Sequence, residues 1–281
     1  MIPAEFDYVA PQSLDEVLQA LRDGGEDAKI LAGGHSLIPL MKLRLAAPTL
    51  LVDLRRVPGL SEVTRENGTL RFGAMVRHHA VATGGFGLPS AAAATIADQQ
   101  VRNAGTLGGT LAHGDPASDM PAILLVHEGS VIVRGPDGER EIPGSELFQD
   151  YLTTAVGEGE ILTEVRIPAL EGYGYGYHKF NRRQEDWAMV AVAAAVKKGA
   201  DGTVEDVRIG LTHMGSTPLR ATASEAALRG QPLNAETIAA AAEQASEGTE
   251  PPADLNASAD YKRHLARVLT RRALADAGEA R

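Results

Sequence analysis

Two glycine-rich segments carry the groups best suited to hold an anionic ligand. The first, AGGHS, spans residues 32–36, and the second, NAGTLGGT, spans residues 103–110. Glycine lets the main chain approach a ligand closely, and several converging backbone N–H groups, helped by Ser or Thr hydroxyls, can bind a pyrophosphate. Each segment alone is more typical of a tight turn. The pair, far apart in the chain, predicts a cofactor held between two subdomains.

Neither segment matches a common nucleotide-binding motif. Neither contains GxGxxG or ends in GK followed by Ser or Thr, so the sequence supports neither a Rossmann domain nor a P-loop. No pair of histidines has the HExxH spacing of a zinc enzyme. His78 and His79 are adjacent, and because adjacent side chains diverge, we expect both to be ordinary surface residues. We interpret His113 and Asp115 as loop residues near the cofactor, and we assign no metal ligand and no catalytic residue.

The composition excludes several classes of function. The chain has 281 residues, 44% of them hydrophobic, and a formal net charge of −10, which gives no electrostatic footprint for nucleic acid or anionic lipid. Without cysteine it cannot form a disulfide, hold an iron–sulfur cluster through thiolates or attach a flavin through sulfur. Its apolar runs are too short for a membrane span, and the N-terminus has no secretory signal. We expect a cytoplasmic protein, with any redox metal on another chain.

The elements around the first glycine segment predict an α/β unit. A capping box at Ser13–Glu16 opens an amphipathic helix that ends at Gly24-Gly25. Short apolar strands are predicted at 30–32 and 50–52, with a helix at 37–42 between them. The glycine segment thus follows a strand and precedes a helix.

The rest of the chain predicts a mixture of strands and helices. Strands are expected at 69–74, and at 131–133 and 140–142 around a turn, with helices at 91–98 and 121–126. The Gly- and Tyr-rich stretch 171–176 is the best candidate for a domain junction. A hairpin of strands 189–197 and 204–212 and a helical cluster follow, with Asn234 as an N-cap and a final helix at 259–277.

Four stretches carry a resemblance to one family of flavoproteins. They are residues 32–36, 102–121 (RNAGTLGGTLAHGDPASDMP), 159–168 (GEILTEVRIP) and 178–193 (HKFNRRQEDWAMVAVA). In order and spacing the chain resembles, over essentially its whole length, the FAD-binding medium subunit of molybdenum hydroxylases, the family of carbon monoxide dehydrogenase and xanthine dehydrogenase. The resemblance implies an oxidoreductase subunit.

The same resemblance implies an α+β fold with two domains. A two-subdomain FAD-binding domain of the PCMH (vanillyl-alcohol oxidase-like) type would span residues 1–170, with subdomains at about 1–57 and 58–170. A C-terminal domain of the carbon monoxide dehydrogenase flavoprotein type, built of antiparallel strands and a helical cluster, would span residues 175–281.

The family pattern also implies which residues bind FAD. Both glycine segments wrap the pyrophosphate in this family, which implies contacts from Ala32, Gly33, Gly34, His35, Ser36, Thr106, Gly108, Gly109 and Thr110. Asp119 matches an acidic residue that binds ribityl or adenosine hydroxyls. Ile161 and Leu162 match an aliphatic position beside the isoalloxazine, and Lys179 matches a lysine at the polar edge of the flavin. Trp187, the only tryptophan, lies either beside the flavin ring or as an aromatic in the core or an interface.

Cofactor chemistry and partners follow from the resemblance as well. A similar Gly-Gly-His in the vanillyl-alcohol oxidase family bonds covalently to the flavin, but the matching His of the resembled family does not, so noncovalent FAD is expected at His35. The molybdenum cofactor and two two-iron two-sulfur clusters would lie on large and small partner subunits, in a dimer of heterotrimers (a heterohexamer). Electrons would pass to quinone, dioxygen or NAD.

Two alternatives belong to other classes of protein. A self-contained flavin oxidase or reductase of the vanillyl-alcohol oxidase type would bind a substrate over its own flavin, but the chain is short for it. A nonenzymatic scaffold that has lost its cofactor would not retain both glycine segments and Asp119.

Overall fold

The computed structural model describes residues 2–279. The elements of the first unit are β1 (Asp7–Val9), α1 (Leu14–Gly24), β2 (Ala28–Leu31), α2 (Leu37–Leu43) and β3 (Leu50–Asp53). Its three strands form a parallel sheet in the order β1-β3-β2. The Ser13 hydroxyl caps α1 as predicted, but the Glu16 carboxylate accepts from the Gln12 amide, so the capping box is wrong in its second half. Residues 32–36 connect the carboxyl end of β2 to α2.

The strands of the second unit are β4 (Val63–Glu66), β5 (Thr69–Gly73), β6 (Ser130–Gly135), β7 (Gly138–Pro143), β8 (Phe148–Asp150), β9 (Thr153–Thr154) and β10 (Ile161–Pro168). Five of them form an antiparallel sheet in the order β4-β5-β10-β6-β7, and β8 and β9 form a small separate hairpin. The central strand, β10, pairs with β5 and β6, both of which precede it by far in the chain. The β6–β7 hairpin confirms the turn predicted between them.

Short helices lie between β5 and β6 along the chain, and one more follows β7. They are α3 (His78–Thr83), α4 (Leu88–Ala93), α5 (Gln99–Ala104), α6 (Leu107–His113), α7 (Asp119–Val126) and α8 (Gly144–Leu147). The helix predicted at 91–98 was wrong in its bounds: α4 begins earlier and ends at Ala93, and Ala97, with φ of +38°, cannot belong to a helix. Residues 107–110 of the second glycine segment, a pattern that taken alone is typical of a tight turn, form the first turn of α6.

The third unit packs a four-stranded antiparallel sheet between helices. Its elements are β11 (Tyr173–Phe180), β12 (Val190–Lys198), β13 (Val204–Thr212), β14 (Leu219–Arg220), α9 (Thr222–Leu228), α10 (Ala235–Glu243) and α11 (Ala259–Glu279). Strand β12 is buried on both faces, with its valines facing the C-terminal helices and Ala193 and Ala195 facing the core of the second unit. Burial on both faces explains the continuous apolar run in its sequence.

The stretch expected to form a domain junction is only partly a turn. The turn is at Glu171-Gly172, and β11 begins at Tyr173. In that strand Gly176 lies against α11, where an added Cβ would come within 2.3 Å of the Ala273 carbonyl oxygen. These glycines therefore allow close packing as well as turning. The α+β fold class is confirmed, and no helix within residues 2–279 has the length and apolar character that crossing a bilayer needs.

Asp206 on β13 should make the stability of this third unit depend on pH. It accepts hydrogen bonds from Tyr173 (2.8 Å), Arg208 (2.9 Å) and Arg229 (2.9 Å). Burial raises the pKa of Asp206, but these hydrogen bonds outweigh burial and lower the pKa to about 2. Because the unfolded value is about 3.9, the stabilisation is present above about pH 4 and is lost as the pH falls towards about 2.

The variant Asp206→Asn tests this expectation. The stability difference between wild type and Asp206→Asn should be largest above about pH 4 and should shrink as the pH falls towards about 2. Thermal unfolding followed by circular dichroism across this range measures the difference. The matched control is Asp137→Asn in the exposed β6–β7 turn, which makes the same change of charge. A difference that stays constant with pH would contradict the expectation.

Candidate functional site

A single cavity of about 530 Å³ brings the predicted site residues together from all three units. All fourteen residues proposed from the sequence line it: Ala32, Gly33, Gly34, His35, Ser36, Thr106, Gly108, Gly109, Thr110, Asp119, Ile161, Leu162, Lys179 and Trp187. The cavity volume lies in the usual range for ligand pockets, about 300–1,000 Å³. Residues that are far apart in sequence thus share one concave surface.

The first glycine segment presents a row of free backbone donors. The amides of residues 33–37 donate to no backbone carbonyl within residues 2–279, and the first hydrogen bond of α2 runs from Ile38 to the Gly34 carbonyl (3.0 Å). Gly34 has φ of +74°, a conformation that glycine adopts without strain. Successive amides in such a turn form a concavity for an anion. This donor set fits a pyrophosphate.

The second glycine segment, unlike the first, has no free backbone amides between residues 107 and 110. Its amides from Leu107 to Thr110 already have acceptors within the chain: Leu107 donates to Val76, Gly108 donates to Ala74, and the other two donate to the Thr106 side chain and carbonyl. The Thr106 hydroxyl keeps its O–H for a ligand, and the Thr110 hydroxyl, which donates to Ser118 Oγ (3.3 Å), can donate to a ligand only by rotating away from Ser118. Glycine is needed here for close packing, since a Cβ on Gly108 would lie 2.5 Å from the Ala74 Cβ.

The two glycine segments touch each other directly. A Cβ added to Gly33 would lie 2.5 Å from the Ala104 carbonyl oxygen and 2.8 Å from the Gly105 Cα. Both contacts are with backbone, so neither can be relieved by rotating a side chain. Only glycine at position 33 lets the β2–α2 loop rest on the second segment, and this contact sets the position of the free amides.

A buried ion pair forms the wall between the second and third units. Lys179 Nζ lies 3.0 Å from Asp119 Oδ2, and their side chains are 5% and 3% exposed. The Tyr177 hydroxyl donates to Asp119 Oδ1 (2.6 Å), and Lys179 also donates to the Thr95 carbonyl (3.3 Å). Burial and the adjacent Asp119 raise the pKa of Tyr177 well above its usual range, so it stays a neutral donor. Asp119 and Lys179, which the family pattern assigns to different parts of the cofactor, form one network.

The remaining wall is apolar and aromatic. Ile161 and Leu162 begin β10 and are 0% and 5% exposed, while Trp187, between β11 and β12, is 53% exposed. Trp187 is therefore not a core residue. The cavity lining therefore combines an apolar and aromatic wall with a lysine and a row of free amides, and these are the kinds of group that FAD requires.

The sequence reasoning missed several residues of the cavity wall. His78 was expected on the surface, but it is 5% exposed and lines the cavity, whereas His79 is exposed as expected. His78 is buried because its backbone pairs with the second glycine segment (amide to the Gly105 carbonyl, 3.0 Å). Ile96 and Ala97 also line the cavity, and the Arg102 guanidinium donates to both of their carbonyls. The positive φ of Ala97 has no signal in the sequence.

The residues 4–170 match the model of the FAD binding domain in molybdopterin dehydrogenase, and residues 175–277 match that of the CO dehydrogenase flavoprotein C-terminal domain. The chain is 40% identical to the carbon monoxide dehydrogenase medium chain of Hydrogenophaga pseudoflava, over 98% of this chain and 97% of the relative. It is 40% identical to subunit alpha of the 6-hydroxypseudooxynicotine dehydrogenase complex of Paenarthrobacter nicotinovorans, over 99% and 96%. Among solved structures, a chain of reconstituted CO dehydrogenase from Oligotropha carboxidovorans superposes with a TM-score of 0.96, at 37% identity and 100% coverage of both chains.

Proposed function

The chain belongs to the family of FAD-binding medium subunits of molybdenum hydroxylases, and from this premise we propose that it carries electrons between a partner subunit and an external acceptor. FAD is its cofactor. Bound FAD supplies redox chemistry that can take electrons singly and release them in pairs. The observation that carries the proposal is the cavity itself, whose lining combines the free amides of residues 33–37 with a buried lysine and a tryptophan.

The residues of the cavity have distinct proposed roles. The amides of residues 33–37 and the hydroxyls of Ser36, Thr106 and Thr110 would bind the pyrophosphate. Ile161 and Leu162 would exclude water beside the ring, and Trp187 would cover it from the solvent side. Lys179, held by Asp119 and the Thr95 carbonyl, would place a positive charge at the edge of the ring and favour the reduced cofactor. None of these groups is proposed to act on a substrate.

The source of electrons is proposed to be another chain. The chain has no cysteine, and no cluster of three His, Asp or Glu residues within residues 2–279 could hold a metal ion. We propose a small subunit with two two-iron two-sulfur clusters as the donor and a large subunit with the molybdenum cofactor as the site of substrate oxidation, arranged as a dimer of heterotrimers. Quinone, dioxygen or NAD would be the acceptor. We also propose residues 1–170 and 175–281 as the domains.

The substrate of the complex is left open by the relatives. Two of them, at the same 40% identity, carry the names of enzymes for carbon monoxide and for 6-hydroxypseudooxynicotine. A flavin subunit that does not contact the substrate would be under no selective pressure to differ between these two enzymes. Substrate choice is therefore proposed to lie on the large subunit.

An absorbance spectrum of the purified chain with added FAD, followed by acid precipitation, tests the cofactor. We expect the two visible bands of oxidised flavin, with the yellow colour released to the supernatant. Yellow retained in the pellet would indicate a covalent bond, with His35 as the first candidate. Failure to bind FAD, both alone and in the complex purified with its partners, would overturn the proposal. In that complex, reoxidation rates with NAD, a quinone and dioxygen distinguish the acceptors.

Trp187 provides an internal probe of where the ring binds. Because it is the only tryptophan and lines the cavity, FAD should quench the tryptophan emission of the chain strongly. ADP, which has the pyrophosphate but no flavin ring, should quench it far less. Fluorescence titration with both ligands measures this, and equal quenching by FAD and ADP would contradict the position proposed for the ring. Trp187→Phe supplies the background signal.

A further inference from the structure

His78 is a polar side chain in the cavity wall that the functions above do not use. It is 5% exposed, and its Nδ1 has no hydrogen-bond partner within residues 2–279. Unpaired polar atoms in a protein interior are uncommon because each costs about 1–3 kcal/mol. Nε2 also has no hydrogen-bond partner within residues 2–279, but it is not fully buried, so Nε2 is the nitrogen that a ligand in the cavity can reach.

The position of His78 indicates which part of a ligand it would meet. Its ring lies against Gly105, where an added Cβ would come within 2.8 Å of His78 Cδ2 and 3.3 Å of Nε2. Gly105 in turn contacts Gly33, the first of the residues with free amides. His78 therefore lies beside the contact between the two glycine segments.

The protonation of His78 suits it to donate. Burial, with smaller contributions from His35 and Arg77, lowers the pKa of His78 to about 4, so the ring is neutral at pH 7 and carries one N–H. An unpaired buried N–H is rarer in proteins than an unpaired acceptor. The unpaired Nδ1 is then best assigned as the acceptor nitrogen, which leaves the proton on Nε2. The Arg77 guanidinium also acts on the ring, and its positive charge favours an anion beside His78.

We propose that His78 is a further FAD-binding residue, whose Nε2–H donates a hydrogen bond to the pyrophosphate beside the amides of residues 33–37. The inference rests on the proposed function, since it needs FAD in the cavity. It adds a side-chain donor from α3 to a site otherwise built from backbone amides and hydroxyls. It also gives a reason for a buried histidine at a position where an apolar residue would pack without an unpaired atom.

Three variants of the full chain separate binding from folding. His78→Leu removes both nitrogens, while His78→Gln keeps an amide N–H near the position of Nε2. His79→Gln is the matched control, because His79 is adjacent but exposed. We expect His78→Leu to raise the Kd for FAD about tenfold to a hundredfold, as for loss of a hydrogen bond to a charged group. His78→Gln should recover much of that affinity, and His79→Gln should leave the affinity unchanged.

Two further readouts make the test specific. Without FAD, His78→Leu should unfold at the same temperature as wild type or higher, because the unpaired Nδ1 is gone. With FAD at saturation, the ³¹P resonances of the pyrophosphate should differ between His78→Leu and wild type, and should coincide between His79→Gln and wild type. A structural role alone would not move the phosphorus resonances.

The outcomes distinguish this inference from the proposed function. Wild type that binds no FAD would overturn the proposed function and, with it, the role of His78. Wild type that binds FAD, with a Kd for His78→Leu within about a factor of two of the wild-type value, would overturn the role of His78 alone. So would unchanged phosphorus resonances. If His78→Leu does not fold, two other measurements test the role of His78. One is the Kd of His78→Gln for FAD, and the other is the ¹⁵N spectrum of the wild-type histidines, in which the resonances of the His78 nitrogens must shift when FAD is added.

Discussion

Replacing Lys179 with methionine is expected to lower the free energy of unfolding of the chain by about 3–5 kcal/mol. Lys179 and Asp119 are 3.0 Å apart, with both side chains at least nine-tenths buried. Methionine fills much of the same space but leaves the Asp119 carboxylate without its cation. The Tyr177 hydroxyl, its other partner, cannot neutralise a charge. The loss reflects the cost of an unpaired buried charge rather than the strength of the pair itself.

Urea unfolding of wild type and variant measures this loss, and a second substitution tests its cause. Asp119→Asn combined with Lys179→Met removes both charges, so the double variant should be more stable than Lys179→Met alone. The control is Arg263→Met, which breaks the exposed Arg263–Asp260 pair on α11 and should cost at most about 1 kcal/mol. A Lys179→Met chain as stable as the Arg263→Met chain would contradict the expectation.

The same lysine should set the redox potential of the bound flavin. Without the positive charge, the reduced cofactor is less favoured, so Lys179→Ala should shift the flavin midpoint potential to more negative values. Potentiometric titration of the FAD-loaded chain, followed at the flavin bands, measures the shift. An unchanged midpoint potential in a folded, FAD-loaded variant would show that the charge of Lys179 does not act on the flavin ring.

Gly33→Ala is expected to weaken FAD binding about tenfold to a hundredfold and to destabilise the chain by about 1–3 kcal/mol. The added methyl group would lie 2.5 Å from the Ala104 carbonyl oxygen and 2.8 Å from the Gly105 Cα. Because both neighbours are backbone, the two glycine segments must move apart. The free amides of residues 33–37 then lose their position, and each lost hydrogen bond to a phosphate costs about 1.5–3 kcal/mol.

Equilibrium titration with FAD and thermal unfolding without it measure the two effects of Gly33→Ala separately. The matched control is Gly215→Ala in the third unit, where the added Cβ first meets the flexible end of Leu219 at 3.1 Å. That variant should bind FAD as wild type does. Equal affinities for Gly33→Ala and wild type would show that the contact between the segments does not position the cofactor.

Local patterns predicted many elements of the fold. Strand β13 begins and ends at the predicted residues, Asn234 caps α10 with a capping box, and α11 begins at Ala259 as expected. These features depend on residues within a few positions of each other, through side-chain periodicity and capping hydrogen bonds. One prediction was wrong where a side chain of the next helix decided the backbone: α4 ends at Ala93, and Arg102 of α5 donates to the carbonyls of Ile96 and Ala97 in a turn.

The sequence by itself determined the α+β class, the absence of cysteine, the two glycine segments and the family, because residue types and their spacing carry that information. Only the tertiary structure decided that the amides of the first segment are free and those of the second are occupied. It also decided that Lys179 pairs with Asp119 and that His78 is buried beside Gly105. Each of these joins residues from separate elements, so its energy depends on packing that no local pattern records.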